Sequence, residues 1–350
     1  MSGIYSINKK RIGQGFPVYI IAELSANHNQ DFKNAIELIK CAKDAGADAV
    51  KIQTYTPNTM TIDCNNDFFK IANGTVWQGK TLYDLYSEAY TPWEWHSRLY
   101  QFANKMGLDF FSTPFDVTSV DFLEKNHVPA YKIASFEIVD IPLIRKIAQM
   151  GKPIILSTGM ASVSEIDEAV QAIRNEGNNK IALLKCTSAY PALPEEMNLK
   201  TIPHMSDLFD LPVGISDHTL GIAIPVAAVA LGACIVEKHF TLSRADPGPD
   251  SAFSLEPHEF KAMVVAIRET EKALGRVCYD VGEHEMANRV FRRSLFVVKD
   301  MKVGEIFSPE NVQSIRPGYG LPPKNIYKIL GRKSSKDILR GTPMTWKIVE

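Results

Sequence analysis

Eight short apolar, β-branched runs recur along this chain, and each is followed by a stretch with helical spacing. In chain order the runs are VYIIAEL, AVKIQT, LDFFSTP, AYKIAS, PIILST, IALLKCT, PVGISDH and IVEKHFT. Strands that alternate with helices are typical of parallel sheets, because two parallel neighbours must be joined by a crossover connection. Eight such units in series predict the α/β class and a closed (β/α)8 TIM barrel.

The pattern changes after Gly275. Residues 293–350 contain short apolar runs separated by tight turns, and they show no long helical period. We therefore predict a TIM-barrel domain over residues 1–278, a polar linker over residues 279–292 and a separate small β-rich domain over residues 293–350.

Charge and composition exclude several classes of function. Lys and Arg number 39 against 40 Asp and Glu, so no global field favours nucleic acid or an acidic membrane. The longest apolar stretch, Ile222 to Val236, is too short to span a bilayer and contains Pro225. The five cysteines are odd in number and lack a CxxC pair, which predicts reduced thiols in a cytoplasmic protein. The Asn73-Gly74-Thr75 sequon would then stay unmodified.

Polar residues stand at the end of nearly every predicted strand. The carboxyl ends of the strands carry the active site in TIM barrels, so residues from distant parts of the chain would meet there. Lys51 and Lys132 lie inside strands, and each would either meet an anion or form a buried ion pair with Glu23 or Glu237. We interpret Lys185 and Glu237 as structural barrel charges. Hydroxyls that could complete a phosphate or carboxylate cradle belong to Thr113, Ser135, Ser157 and Ser216.

Two histidines, His218 in GISDHT and His239 in VEKHFT, end the last two predicted strands. The helix-like run IAIPVAAVALG lies between them, so adjacent parallel strands would bring both imidazoles to one edge of the sheet. Alternation along a strand puts Ser216 on the face of His218 and Glu237 on the face of His239. This placement predicts a two-histidine metal site; the alternative is a pair of strand-end histidines that only hydrogen-bond.

The connection from Tyr55 to Tyr90 is far longer than usual between a strand and a helix, and it is rich in Asn, Thr and aromatic residues. Loops of this length tend to be functional. Because this connection would lie on the carboxyl face of the barrel, we predict that it forms a wall or lid for the substrate. It ends at Thr91-Pro92-Trp93-Glu94, which has the pattern of a capping box and predicts that the nearby His96 packs a helix.

Several motifs together resemble one family. In order and spacing the chain is similar to the sialic acid synthase family over essentially its whole length, and the tail SIRPGYGLPPK resembles the antifreeze-like (SAF) domain of that family. The segments KIQTYTPNTMT and TLYDLYSEAYTPWEWH are most similar to its pseudaminic branch. The motifs that carry the resemblance are IAELSANHNQD, VKIQTYTP, FFSTPFD, AYKIASFE, IILSTGMAS, LLKCTSAYP, VGISDHTLG, IVEKHFTL and DPGPDSAFSL.

The resemblance implies condensation of phosphoenolpyruvate with an open-chain acetamido sugar aldehyde and release of phosphate. In the pseudaminic branch the acceptor is a 2,4-diacetamido-2,4,6-trideoxy-altrose. By motif position, Glu23, Glu137 and His218 would be catalytic, and His218 with His239 would hold a divalent metal, Mn, Mg or Co. The phosphoenolpyruvate-binding residues would be Lys51, Thr113, Lys132, Ser135, Ser157 and Ser216, and the sugar-binding residues Gln53, Tyr190, Asp250 and Arg316.

The same resemblance implies a domain-swapped homodimer, in which Arg316 would enter the site from the SAF domain of the partner. Ser188 departs from the pattern, because sialic acid synthases tend to carry Asn there. Two other interpretations stay open. A metal-dependent barrel aldolase or hydrolase would use the same histidines without needing two inward lysines and a ring of hydroxyls. A carbohydrate- or ice-binding module on a structural barrel would not explain why charged residues converge on one mouth.

Overall fold

The computed structural model describes residues 5–71 and 77–350. The Asn73-Gly74-Thr75 sequon and part of the connection from Tyr55 to Tyr90 lie outside the described residues. The chain divides into two units, Met1–Gly275 and Arg276–Glu350. Each unit has an apolar core of its own.

The first unit contains a closed barrel of eight parallel strands within the described ranges, which confirms the predicted TIM barrel. Each strand pairs with its neighbour in the chain, and the last strand closes the barrel against the first. A short hairpin of β1 (Tyr5–Ile7) and β2 (Lys10–Ile12) precedes the barrel. The barrel strands are β3 (Tyr19–Glu23), β4 (Ala49–Thr54), β5 (Asp109–Pro114), β6 (Tyr131–Ile133), β7 (Ile154–Ser157), β8 (Ile181–Cys186), β9 (Val213–Asp217) and β10 (Ile235–His239).

A helix follows every barrel strand and covers the outer face of the sheet. These helices are α1 (Phe32–Asp44), α4 (His96–Lys105), α5 (Val117–Lys125), α6 (Ile141–Ala148), α7 (Val163–Asn175), α8 (Thr201–Phe209), α9 (Ala223–Ala230) and α10 (Pro257–Leu274). The long connection before α4 contains two short helices, α2 (Pro57–Met60) and α3 (Leu82–Ala89), which the sequence analysis did not anticipate.

Helix α1 shows how the outer layer of the core forms. The side chain of Asp31 accepts a hydrogen bond from the backbone N–H of Lys33 at 2.7 Å, which satisfies one of the free donors at the start of the helix. Its buried residues recur at the spacing that puts side chains on one helix face, and they pack against the outside of the barrel. They are Ala35, Leu38, Ile39 and Ala42.

The inside of the barrel changes from apolar to polar along the strands. Its lower part is filled by buried residues such as Ile21, Phe111 and Ile155, and the hairpin residues Ile7 and Ile12 belong to the same cluster. Side chains two residues apart on a strand point to the same face. The residues two positions beyond this layer therefore point inward as well, at the carboxyl end of the barrel: Glu23 after Ile21, Thr113 after Phe111 and Ser157 after Ile155.

The predicted capping box at Thr91 is wrong. Residues Trp93–Trp95 form a 3-10 turn with Pro92 at its N-cap, and no side chain caps it. Thr91 is instead buried, with its Oγ1 3.1 Å from Nε2 of His28. The packing role predicted for His96 does hold: its ring is buried against Phe122.

The second unit is built around a two-stranded antiparallel sheet of β11 (Ser294–Val297) and β12 (Val312–Ile315), with the short helices α11 (Glu283–Met286) and α12 (Ile326–Ile329). Isolated β-bridges extend this β-rich character. Arg316 directly follows β12 and is exposed. Within residues 5–71 and 77–350, no helix is long and apolar enough to cross a membrane.

Candidate active site

The register of the barrel strands brings the predicted residues together. His239 lies opposite Glu23 on neighbouring strands, and Glu23 lies opposite Lys51. Farther along β4, Gln53 lies opposite Thr113. Because inward-pointing residues recur every second position, these pairs all contribute side chains to one mouth at the carboxyl end of the barrel.

A buried cluster of two lysines and two glutamates occupies the centre of this mouth. Lys51 Nζ lies 2.5 Å from Glu23 Oε2 and 3.5 Å from Glu237 Oε1. Lys132 Nζ lies 3.8 Å from the same Glu237 oxygen. Both lysines thus form the buried ion pairs that the sequence left as the alternative to anion binding. Glu237, which sequence reasoning set aside as a structural charge, bridges the two lysines. The only sequence signal for this role was that Glu237 lies two residues before His239 and therefore on the same face of the strand.

Hydroxyl groups surround the two lysines. Lys51 Nζ donates to Thr113 Oγ1 at 3.2 Å, and Lys132 Nζ donates to Ser157 Oγ at 2.5 Å. The hydroxyl of Ser216 donates to Glu237 Oε1 at 3.3 Å. These three hydroxyls therefore contact the cluster of lysines and glutamates. An anion bound between the lysines would have hydrogen-bond donors on several sides.

A second hydroxyl pair lines the edge of the mouth at Gly159. The backbone N–H of Gly159 donates to Ser135 Oγ at 3.1 Å. A Cβ at position 159 would lie 2.2 Å from Ser188 Oγ and 2.7 Å from Ser135 Oγ, so any larger residue would displace both hydroxyls. Ser188, the position where this chain departs from the family pattern, thus lies against the same glycine as the predicted site residue Ser135.

Burial shifts the acid–base behaviour of the carboxyl groups. It raises the pKa of Glu23 to about 7 against the opposing effect of Lys51, and it raises the pKa of Glu137 to about 7 against that of Lys132. Burial also lowers the pKa of Lys132, although Glu237 opposes this. Two carboxyl groups that exchange protons near neutral pH suit general acid–base chemistry.

The two histidines lie side by side, with their ring centroids 5.3 Å apart. His218 Nδ1 is 2.9 Å from the backbone oxygen of Thr187, to which it donates, so its Nε2 is left as the ligating nitrogen. His239 Nδ1 is buried and has no hydrogen-bond partner among the described residues. The carboxylate of Asp250 is 4.0 Å from this nitrogen.

This arrangement fits a divalent metal with two protein ligands. One imidazole is oriented by a backbone carbonyl, and the other carries an orphaned buried nitrogen. No group of three or more His, Cys, Asp or Glu side chains that could hold a metal occurs in the described part of the chain. Such a metal would therefore keep open positions, as a catalytic site requires.

Of the remaining predicted residues, Tyr190 and Asp250 lie next to the histidines, and Gln53 is linked to Asp250 through Ser25. The ring centroid of Tyr190 is 4.4 Å from that of His218, and Gln53 Nε2 donates to Ser25 Oγ at 3.1 Å. The hydroxyl of Ser25 in turn donates to Asp250 Oδ2. Ser25 was missed by sequence reasoning, although it follows the inward Glu23 by two residues. Arg316 belongs to the second unit.

A separate ion pair lies on the outer face of the last two strands. Lys238 Nζ is 2.5 Å from Asp217 Oδ2, and both side chains are completely buried. Lys238 also donates to the backbone oxygen of Thr219, whose own N–H donates to Asp217 at 3.0 Å. Since Asp217 precedes His218 and Lys238 precedes His239, this pair ties together the two strand ends that carry the histidines.

Comparison with known sequences identifies both units. Residues 38–279 match the profile of the NeuB family, and residues 292–350 match the SAF domain. Among curated proteins, the pseudaminic acid synthase of Campylobacter jejuni (strain 81-176) is 49% identical over 93% of this chain and 94% of its own length. The pseudaminic acid synthase of Helicobacter pylori is 45% identical over 95% of this chain and 98% of its own length.

A solved structure supports the same relationship. The N-acetylneuraminic acid synthetase of Leptospira borgpetersenii, crystallised with citrate, superposes with a TM-score of 0.74 at 34% sequence identity. The match covers 82% of this chain and 95% of that protein.

Proposed function

Because this chain belongs to the NeuB family, we propose that it condenses phosphoenolpyruvate with 2,4-diacetamido-2,4,6-trideoxy-altrose and water to give pseudaminic acid and phosphate. The observation that carries the proposal is the buried pair of Lys51 and Lys132 beside two histidines at one barrel mouth, in a chain 45% to 49% identical to pseudaminic acid synthases. A metal-dependent barrel aldolase or hydrolase would not need two inward lysines and a ring of hydroxyls.

In this proposal the lysines bind phosphoenolpyruvate. Its carboxylate and phosphate would replace part of the ion pairing that Lys51 and Lys132 now make with Glu23 and Glu237. The hydroxyls of Thr113, Ser157 and Ser216 and the Ser135 hydroxyl at Gly159 would donate to the remaining oxygens. Charged donors fixed in a buried site hold such an anion without reorganising during the reaction.

The bonds change in two stages. C3 of phosphoenolpyruvate attacks the aldehyde carbon of the sugar, and a proton is delivered to the former aldehyde oxygen. Positive charge develops at C2, and water adds there with loss of one proton. The C2–O bond to phosphate then breaks, while the new C2 hydroxyl passes its remaining proton to the leaving phosphate and becomes the carbonyl. Glu23 and Glu137, whose carboxyl groups have a pKa of about 7, stabilise that charge and move the two protons.

Two histidines would hold the divalent metal, Mn, Mg or Co. His218 would bind through Nε2 and His239 through its unpartnered Nδ1. When bound, the metal supplies Lewis-acid polarisation of the aldehyde oxygen. Tyr190 and Asp250, which lie beside the histidines, and Gln53, which is linked to Asp250 through Ser25, would orient the sugar around that oxygen.

The test of this function is a comparison of acceptors. The purified protein is incubated with phosphoenolpyruvate, Mn²⁺ and either 2,4-diacetamido-2,4,6-trideoxy-altrose or N-acetylmannosamine, while phosphate release and the product mass are followed. We expect kcat/KM for the first acceptor to exceed that for the second by about 100-fold or more, because the missing acetamido contacts are lost in the transition state. A higher value with N-acetylmannosamine would assign the chain to the sialic acid branch.

N-acetylneuraminate or legionaminate synthesis is the second candidate, because synthases with those products also resemble this chain over most of its length. The proposed compartment is the cytoplasm, where phosphoenolpyruvate is made. The absence of disulfides among the described cysteines agrees with a reducing environment.

The two carboxyl groups predict the pH dependence of the reaction. A carboxyl with a pKa of about 7 is protonated below that pH and ionised above it. If one acts as base and the other as acid, log kcat/KM plotted against pH forms a narrow bell centred near pH 7, since this parameter reports the free enzyme. We expect Glu137→Gln and Glu23→Gln each to lower the maximum by about 10²- to 10⁴-fold and to remove one limb.

The limb that disappears identifies the role of each residue. Loss of the acidic limb marks the base, which must be ionised, and loss of the alkaline limb marks the acid, which must carry its proton. Persistence of both limbs in both variants would contradict the assignment of these carboxyls to proton transfer.

The proposed assembly is a domain-swapped homodimer in which Arg316 serves the barrel of the partner. Arginine suits this task because its planar fork can grip a carboxylate or an amide carbonyl at a fixed angle. In a symmetric dimer, both sites would be completed in the same way.

Subunit mixing tests the swap. His218→Ala and Arg316→Ala proteins, each inactive alone, are allowed to exchange subunits. One of the two sites in each hybrid then pairs an intact His218 with an intact Arg316, so activity should return to roughly a quarter of wild type for random pairing. Mixing His218→Ala with His239→Ala is the control, because both changes affect the barrel and every site keeps a lesion. Absence of recovery in the first mixture, despite demonstrated exchange, would reject the swapped arrangement.

A further inference from the structure

One residue of the long connection after β4 reaches the catalytic histidines through aromatic neighbours. The indole N–H of Trp77 donates to the backbone oxygen of Pro249 at 2.8 Å, which fixes the ring against the segment that follows the last barrel strand. Its ring centroid lies 5.7 Å from that of Tyr190 and 6.5 Å from that of Phe253. The long connection, which was predicted to form a wall of the site, thus contacts Tyr190 and Phe253 through Trp77.

The two neighbours of Trp77 touch both histidines. Tyr190 lies 4.4 Å from His218 and Phe253 lies 5.1 Å from His239, measured between ring centroids. Phe253 is buried and supports the other rings, whereas Trp77 and Tyr190 are half-buried and keep part of their surface free. The three rings, Trp77, Tyr190 and Phe253, form an aromatic corner beside the metal-binding pair.

Trp77 can offer a bound sugar only apolar surface. An indole has a single polar group, the N–H donor, and here Pro249 occupies it. The free surface that Trp77 offers is therefore hydrocarbon. A methyl group placed against it gains buried apolar contact, whereas a hydroxyl in the same place loses its hydrogen bonds to water.

Polar side chains also lie close to the indole. Trp77 also lines a cavity of about 520 Å³ together with Asn29, Gln30, Lys80 and Glu88. Shortening the Trp77 side chain would open the aromatic corner to this polar space, where a hydroxyl group could be solvated.

We infer that Trp77 is a specificity-determining residue that selects acceptor sugars presenting a methyl group to the aromatic corner, an inference that rests on the proposed function. In the proposed acceptor this methyl can be the terminal C6 methyl or the methyl of an acetamido group. Both have the same surface chemistry, and only acceptor analogues separate them. An apolar pocket discriminates one such group by about 10- to 200-fold.

The test compares four acceptors in the full-length protein: 2,4-diacetamido-2,4,6-trideoxy-altrose, its 6-hydroxy counterpart and the two analogues in which one acetamido group, at C2 or at C4, is replaced by a formamido group. The quantity measured is the ratio of kcat/KM between the parent acceptor and each analogue. The fraction of active enzyme cancels in this ratio, so partial unfolding of a variant does not affect it.

The variants are Trp77→Ala and Trp77→Phe, and the matched controls are Trp93→Ala and Trp93→Phe. Trp93 is also half-buried and donates its indole N–H to a backbone oxygen, that of Tyr55 at 3.0 Å. Its ring packs on Phe122, which belongs to α5, and not on the histidine neighbours. Any general effect of losing an anchored indole will be seen in both pairs of variants.

We expect wild type and both Trp93 variants to prefer the parent acceptor over one of the analogues by about 10-fold or more, and Trp77→Ala to reduce that preference to near unity. Trp77→Phe should fall between them. If Trp77→Ala loses the preference over the 6-hydroxy analogue, the group that contacts the aromatic corner is the C6 methyl. If it loses the preference over a formamido analogue, that group is an acetamido methyl. Unchanged ratios in Trp77→Ala overturn the inference while leaving the proposed function intact. If wild type turns over none of these sugars, the proposed function is wrong and the inference falls with it.

Discussion

Replacing His239 or His218 by alanine should lower kcat by at least about 10³-fold, equivalent to about 4 kcal/mol of transition-state stabilisation. In the proposed metal site each histidine would supply one of the two protein ligands, so its loss should abolish tight binding. Binding of Mn²⁺, followed by calorimetry, gives a readout that is independent of turnover. Circular dichroism at matched concentrations establishes that the barrel of each variant remains folded.

His28→Gln is the control for these variants. His28 is also buried, but both of its ring nitrogens have partners, Thr91 Oγ1 and the N–H of Gln30, and it lies outside the histidine pair. This change should leave the affinity for Mn²⁺ unaltered. Full activity of a chelator-treated His239→Ala protein would refute the metal site.

The second large effect concerns stability. Lys238→Met should lower the free energy of unfolding by about 3 to 5 kcal/mol, because it leaves the completely buried Asp217 carboxylate without its cation. Urea denaturation of the two proteins measures this difference. The double variant Asp217→Asn/Lys238→Met removes both charges and should recover most of the loss, since a neutral buried pair of similar volume is tolerated.

The exposed pair Lys146–Asp121 provides the comparison. Its atoms are 2.7 Å apart, but the side chains are 29% and 51% exposed, so Lys146→Met should cost less than about 1 kcal/mol. Equal losses for Lys146→Met and Lys238→Met would mean that burial of the ion pair does not set its contribution. No recovery in the double variant would show that Lys238 stabilises the strand ends by packing rather than by charge.

The eight strand-and-helix units were readable from the sequence because burial imposes a local period. Inward side chains recur at every second residue of a barrel strand. Because Ile21 is buried inside the barrel, Glu23 must point inward as well, and the other mouth residues follow from the same alternation. The closed barrel and the placement of His218 beside His239 at the ends of adjacent strands agree with the prediction from eight consecutive strand-and-helix units. The sequence motifs likewise established the family.

Side-chain partners could not be read in this way. The sequence left Lys51 and Lys132 between two alternatives and set Glu237 aside, because the distance between strands that are far apart in the chain is not a periodic property. The hairpin of β1 and β2 was missed for a related reason: its strands have only three residues each, too few for alternation to stand out.

The sequence by itself determined which strand residues share the inward face of the barrel, because alternation along a strand is fixed by backbone geometry. Only the tertiary structure decided how those residues combine. Thr91, which was expected to cap a helix, forms a hydrogen bond with His28 instead. Trp77, in the long connection after β4, packs its ring against that of Tyr190. A hydrogen bond or ring contact of this kind depends on where two distant segments meet in space, and local propensity carries no information about that meeting.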